Sequence, residues 1–480
     1  MVLHRYAAGW IGKGFALGAS TRHTSPKLKN ILRIGAGAGY SGDRVDPAVE
    51  LAEKAELDYL VFECLAERTI ALAQLRKLRD PEAGFDPLLE ERMRAVLPIT
   101  VQNGTCIVTN MGQANPLSAA QRTAQVAQEL GLGGVRVVAL IGDDVLEVVP
   151  KSSNTVLETD EPLKTYENTM ISANAYLGAE QILRALKHDP DVVITGRVAD
   201  PSLFLAPMIY EFGWPLKDYA QIGQGTVVGH LLECAGQLTG GYFADPVAKP
   251  VSGMANLGFP YAVVKPSGEA TVTKLSEAGG AITLDTCKEQ LLYEVGDPAR
   301  YLTPDVAANF TSVKLERAGK DAVLVSGGSG SSRPDTLKVS VGFRDGFLGE
   351  GQISYAGPNA SERAHLAAEV VIERLLSIHR LEPMEIRADY LGENAAFRGA
   401  TKPSYPPAEV RLRLAAKTRT KEEAQLVGRE VQALYTNGPA GGGGARSHVE
   451  EIIGVDSTLV DRSDICARTE VFESKGACRP

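Results

Sequence analysis

From residue 31 to about residue 200, short apolar or β-branched runs alternate with longer segments of helical spacing. The first run, residues 31–34, predicts a strand that enters the glycine-studded turn GAGAGYSGD. DPAVELAEKAEL follows with helical spacing, with Asp46 as N-cap and Pro47 in the first turn. DYLVFEC predicts a strand ending at Glu63 and Cys64, and a helix is expected over residues 67–79. A helix over 87–96, a strand over 104–109 and a helix from Pro116 to about Leu130 come next. GVRVVALIGDD is continuously apolar, which marks a strand buried on both faces. A polar excursion over 150–170 precedes an expected helix over about 172–187, and PDVVITGRVADPSLFLAP supplies another strand, turn and helix start. Five strand–helix units predict an α/β fold, with a largely parallel sheet and flanking helices in the N-terminal region. A β/α barrel needs eight such units.

The rhythm changes after residue 222. Glycine-rich helical and loop segments reach residue 260, and residues 261–355 read mostly as alternating strands with turn glycines. A helix of about 16 residues after Asn359, a strand in AEVRLRLAAKT and a helix in KEEAQLVGREVQALYTNG follow. SHVEEIIGVDSTLVDRSDI reads as ordered chain. The expected organisation is a leader over 1–29, an α/β domain over 30–260, a mixed α+β region over 261–460 and a tail over 461–480.

Composition adds exclusions. The net charge of −9 is inconsistent with an overall basic surface for nucleic acid. No run of 18 apolar residues spans a membrane. Six cysteines without a CxxC pair point to a reducing compartment, hence a cytoplasmic location. Ahead of the first acidic residue, Asp43, stand Arg5, Lys13, Arg22, Lys27, Lys29 and Arg33. Such a basic leader is either a mitochondrial targeting peptide or an extension of chance charge.

In open α/β sheets, ligands bind beyond the C-terminal strand ends, so candidate chemistry is sought there. Gly37, Gly39 and Gly42 satisfy G-x-G-x-x-G literally, but the strand and helix are wrongly placed for a dinucleotide site. The turn either cradles an anion on backbone N–H groups or is purely structural. Glu63 closes an apolar strand, where an unpaired carboxylate is costly; it is a candidate general acid or base, or the partner of an arginine. Asn110 and Asn115 lie in TNMGQANP, which suits polarisation of a carbonyl, with Asn115 alternatively the N-cap of the next helix. Arg197 is placed to clamp an anion and Asp200 to fix its geometry, unless the two form a surface pair with Asp200 as a helix cap. In GHLLEC, His230 and Glu233 share a helix face at i,i+3, where His230 is a proton shuttle or a packing residue. Ser329 and Arg333 in SGGSGSSRPD offer a hydroxyl and a cation to an anionic group. The sequence has no P-loop lysine and no G-x-S-x-G elbow. No metal site and no cofactor are expected.

RIGAGAGYSGDR, DYLVFECLAERT, TNMGQANP, VVITGRVADPSLFLAP, GHLLECAGQLTGGYFADP, LGFPYA and the later LYTNGPAGGGG together resemble the acyclic terpene utilisation AtuA-like family, over about residues 30–460. The resemblance implies a place in the catabolism of branched acyl-CoA thioesters. The expectation is a hydratase, dehydratase or lyase acting on an acyl-CoA or small carboxylate. Glu63, His230 and Glu233 would be catalytic; Gly37, Gly39, Asn110, Asn115, Arg197, Asp200, Ser329 and Arg333 would bind substrate. The rival reading is a non-catalytic subunit that holds a metabolite. The expected partner is a small molecule, with self-association into a homo-oligomer left open.

Overall fold

The computed structural model describes residues 29–149, 154–393, 395–396 and 406–476. The leader, and with it the targeting reading, lies outside the described residues apart from Lys29.

The strands β1 (Leu32–Ala38), β2 (Tyr59–Phe62), β3 (Cys106–Thr109) and β4 (Arg136–Ile141) alternate with α1 (Asp46–Lys54), α2 (Glu67–Arg79), α3 (Leu89–Asn103) and α4 (Pro116–Glu129). The apolar strand runs are almost wholly buried. Asn115 caps α4, its side chain accepting from Ser118 N, and Pro116 fits the first turn, where its missing N–H goes unneeded. Asp46 is the first helical residue of α1 and Val45 is the N-cap, one position earlier than expected. Helix α3 runs on through Pro98 to bury Thr100, well past the expected end at 96.

The segment expected as a helix over 172–187 divides in two. Its first part is β5 (Met170–Ala175), and only α5 (Ala179–Leu186) is helical. The alanines of MISANA favour helix locally, but pairing overrides that weak preference. Strand β5 leaves the main sheet and pairs antiparallel with a later strand. The chain then returns through β6 (Val192–Thr195), α6 (Asp200–Phe212) and α7 (Tyr219–Glu233).

After residue 260 come β7 (Pro260–Val264), β8 (Ala270–Lys274), α8 (Leu284–Leu292), β9 (Tyr301–Leu302), β10 (Ala307–Asn309), β11 (Lys314–Gly319), β12 (Ala322–Ser326) and β13 (Ser329–Ser331). The long β14 (Thr336–Ala356), α9 (Ala360–Glu373), β15 (Glu385–Leu391), β16 (Glu409–Thr418), α10 (Lys421–Asn437), β17 (Gly443–Asp461) and β18 (Arg468–Glu473) complete the chain. Helix α8 interrupts the strand-like region, its start fixed by the Thr283–Thr286 capping box.

The main sheet has ten strands in the order β11-β12-β8-β7-β1-β2-β3-β6-β4-β18. Among the described strands, parallel pairing joins β1, β2, β3, β6 and β4. Antiparallel strands extend both sides. The sheet as a whole is therefore mixed, which corrects the largely parallel expectation: β7, β8, β11, β12 and β18 reuse the edges of the parallel centre. Helices α1, α3 and α4 pack on one another as the chain steps from β1 out to β4. When it turns back toward β6, α5 joins α6 and α7 in a separate layer, as right-handed crossovers on a reversed path require. A second sheet, β15-β16-β14-β17 with β5 on β14, builds its own core against α9 and α10. Three short strands, β13-β10-β9, form a third sheet beside α7. No helix among the described residues is long and apolar enough to cross a membrane.

Candidate active site

The C-terminal ends of β1, β2, β3 and β6 carry Gly39, Glu63, Asn110 and Arg197, and the first of them meets the end of α7. Gly39, just past β1, lies so close to α7 that a Cβ there would stand 2.4 Å from the backbone carbon of Cys234. That approach, not a left-handed backbone, is what requires glycine. Gly37 meets the Phe62 ring in the same way and serves packing. Gly39 N already donates to Asp43 Oδ2 at 2.9 Å within the turn.

Glu63 follows β2 and is only 8% exposed. Its Oε1 accepts from Asn110 Nδ2 at 2.9 Å and from Leu65 N at 2.8 Å, leaving Oε2 to carry a proton. Asn110, just past β3, is locked in turn by Cys64 N, which donates to its Oδ1 at 2.7 Å. Burial, reinforced by the charge of Asp200, pushes the Glu63 carboxyl up to about 8.

Arg197, past β6, is 1% exposed. It donates to the Leu65 carbonyl and, through Nη2, to Asp200 Oδ1 at 2.6 Å. Its guanidinium lies 4.1 Å from the centre of the Tyr176 ring. Its backbone N donates to Asp143 Oδ2 at 2.9 Å, an oxygen that also accepts from Asn174 Nδ2. Tyr176 O–H donates to Glu67 Oε1 at 2.6 Å. Burial works to raise Glu67, but Tyr176, Arg197 and Lys338 outweigh it and bring the carboxyl down to about 2. Asp200 opens α6, whose positive end favours its carboxylate. A third of its side chain meets solvent, yet desolvation of the rest lifts the carboxyl to about 6 despite Arg197.

His230 and Glu233 do share a face of α7, and Nδ1 of the imidazole lies 2.7 Å from Glu233 Oε1. Tyr301 and Phe310 flank the imidazole, each with its ring centre 5.4 Å away. Burial holds His230 neutral down to about 4 and raises Glu233 well above the usual carboxylate range. Gln290 Nε2 donates to the His230 carbonyl at 3.1 Å. The same glutamine lines a surface depression of about 340 Å³ with Gln237, Tyr242, Phe243 and Tyr293.

Buried polar atoms almost always have partners. Arg197 Nε, His230 Nε2, Glu233 Oε2 and Gln290 Oε1 are buried without one, and all four belong to this region. Among the described residues, no group of three or more His, Cys, Asp and Glu has the arrangement of a metal site.

The structure thus brings Glu63, Asn110, Arg197, Asp200, His230, Glu233 and Gly39 together. Gly37, beside it, packs against the Phe62 ring, and Asn115, Ser329 and Arg333 lie elsewhere. Asn115 is occupied in capping α4 and in donating to the carbonyls of Pro81 and Ala83. Ser329 packs against Gly223 near the start of α7, roughly 15 Å along the helix axis from Glu233. Arg333 pairs with Glu180 at 2.8 Å. Glu67, Tyr176, Gln290 and Tyr301 were not singled out in the sequence. Glu67 was legible as a second acid four residues after Glu63, whereas the other three reach the site by long-range pairing alone.

These acids tie stability to pH. Glu63 and Glu233 hold protons in the folded chain that they lose on unfolding near neutrality, so stability falls as pH rises toward 8. Neutral His230 has the opposite sign but acts only between about 4 and 6.5. From pH 6.5 to 8, Glu63 alone accounts for a loss of roughly 1–2 kcal/mol, and Glu233 adds to it. Urea midpoints across that interval should fall, and Glu63→Gln should flatten the slope. A stability that rises over the interval would contradict the protonation assigned to both groups.

A family model described as "Acyclic terpene utilisation family protein AtuA" matches residues 32–471. No curated protein matches the chain, and no solved structure does.

Proposed function

The chain belongs to the acyclic terpene utilisation AtuA family, and from that premise we propose an enzyme of acyl-CoA or small-carboxylate catabolism working by acid–base chemistry. Hydration, dehydration and carbon–carbon cleavage next to a carbonyl all need one group to deliver a proton and another to remove one. The observation that carries the reading is the buried His230–Glu233 pair, whose Nε2 and Oε2 have no partner, together with the raised, buried carboxyl of Glu63, which the charge of Asp200 also reaches. A folded chain pays for such atoms unless a ligand meets them.

In the proposed division of labour, Glu63 delivers the proton on Oε2 to a departing or forming hydroxyl. His230 donates Nδ1–H to Glu233 Oε1, the Glu233 proton rests on Oε2, and Nε2 keeps a lone pair that accepts the substrate proton. In dehydration of a hydroxyacyl group, the carbon-bound proton goes to His230 Nε2 and the hydroxyl leaves as water with the Glu63 proton. Asn110 holds the Glu63 carboxyl in place. Arg197 and Asp200 set the field around it.

The test is a panel of saturated, hydroxylated and unsaturated acyl thioesters, with products followed by mass spectrometry. Turnover of at least one member is expected. Saturable binding across the panel without product would favour a metabolite-holding subunit and retire the enzyme reading.

A further inference from the structure

Arg197 is the cation at the centre of the cluster, and its two terminal nitrogens are already taken. One guanidinium nitrogen is spent on the Leu65 carbonyl and another on Asp200, and the face of the group rests on Tyr176. The arginine is 1% exposed whereas a third of the Asp200 side chain meets solvent. What the site presents to an incoming molecule is therefore the carboxylate in front of the guanidinium, not the guanidinium. Glu63, Glu67, Glu233 and Glu294 add acidic groups that interact with Asp200 or with Glu233. Lys338, the next cation outward, is ion-paired with Glu67 at 3.3 Å.

Resting on the proposal that this cluster is the acid–base site, we infer that Asp200 is a charge-selecting residue that admits an uncharged carbonyl and rejects a free carboxylate at the reacting end. A carboxylate entering here meets Asp200 at close range on a partly buried wall, where like charges repel more strongly than in bulk water. It recovers little of that cost from Arg197, whose two terminal nitrogens are taken by Leu65 and Asp200 and whose remaining Nε is buried. An ester or thioester carbonyl meets no such repulsion and finds neutral donors, foremost the Glu63 acid. Selection by a placed repulsive group is a common route to specificity. The substrate class of the proposed reaction then narrows to acyl esters and thioesters, with free acids excluded until they are esterified.

The experiment measures binding and turnover separately, at pH 7.5, for matched probes sharing one acyl chain: the N-acetylcysteamine thioester, the methyl ester and the free carboxylate. The wild-type protein should bind the two neutral probes at least about 10-fold more tightly than the acid. In Asp200→Asn, affinity for the free acid should rise about 10-fold or more, with the neutral probes changing less than about 3-fold. Equal affinity for acid and thioester in the wild-type protein overturns the inference, as does an absence of neutral-probe binding; neither wild-type readout depends on how well the variant folds. A folded Asp200→Asn protein with an unchanged ratio also overturns it. If the binding ratio holds but no thioester is turned over, the proposed enzymatic reading fails while the charge selection stands.

Discussion

Glu63→Gln should lower turnover by about 10²-fold or more while leaving substrate affinity nearly unchanged, the loss usual for a positioned acid–base group. The substitution keeps the volume and an oxygen for Asn110 Nδ2 and Leu65 N, so the geometry around Oε1 survives. It removes the proton on Oε2. Because burial pushes the carboxyl up to about 8, Glu63 is largely an acid at pH 7. The parent protein should therefore lose kcat/KM as pH rises through about 8, and that alkaline limb should be missing from the residual activity of Glu63→Gln. If Glu63 serves structure alone, the variant loses about 1 kcal/mol of stability and keeps its turnover. Near-normal turnover in a folded Glu63→Gln preparation, with the alkaline limb intact, ends the assignment.

Arg92→Ala should be the most damaging single change to stability, costing about 3–5 kcal/mol because it strands a buried charge. Arg92 and Asp86 are both fully buried, 3.4 Å apart. The arginine also donates to the carbonyls of Tyr40, Ser41 and Asp43, closing the turn that places Gly39 against α7. Asp86 returns the support, accepting from Ser41 Oγ at 2.7 Å. Removing the cation leaves Asp86 and three carbonyls without it in a dry interior. Pairing Arg92→Met with Asp86→Leu should recover part of the loss, since neither charge remains, whereas Arg92→Met alone should not. Urea midpoints on the three variants measure this, and a change under about 1 kcal/mol in Arg92→Ala would show that the pair is dispensable.

Part of the site was legible before any coordinates. A carboxylate closing an apolar strand stands out, and Glu63 did. So did the amide-rich TNMGQANP, although only Asn110 of its two candidates reaches the cluster, while Asn115 fulfils the helix-capping alternative. The i,i+3 spacing of His230 and Glu233 needed only the helix to be real. Arg197 was marked as a clamp because a free arginine at a strand end suggests one. Nothing in the chain order shows that Tyr176 and the Leu65 carbonyl consume it. Ser329 and Arg333 looked equally chemical, but a glycine-rich turn carries no record of which strand ends it faces.

What the sequence determined by itself is therefore local: the succession of buried strands and amphipathic helices, the Asn115–Pro116 helix start, the shared face of His230 and Glu233, and the ordered motifs that identify the family. These follow from interactions among residues a few positions apart, and such spacing is written directly in the chain. The tertiary structure alone decided the strand order β1-β2-β3-β6-β4, the diversion of β5 to the second sheet and the arrival of α7 over Gly39. It also decided the protonation of Glu63 and the covering of Arg197 by Asp200. Desolvation and charge proximity depend on neighbours that lie far away in sequence, so the acidity of a buried carboxyl comes into being only when the sheet closes around it.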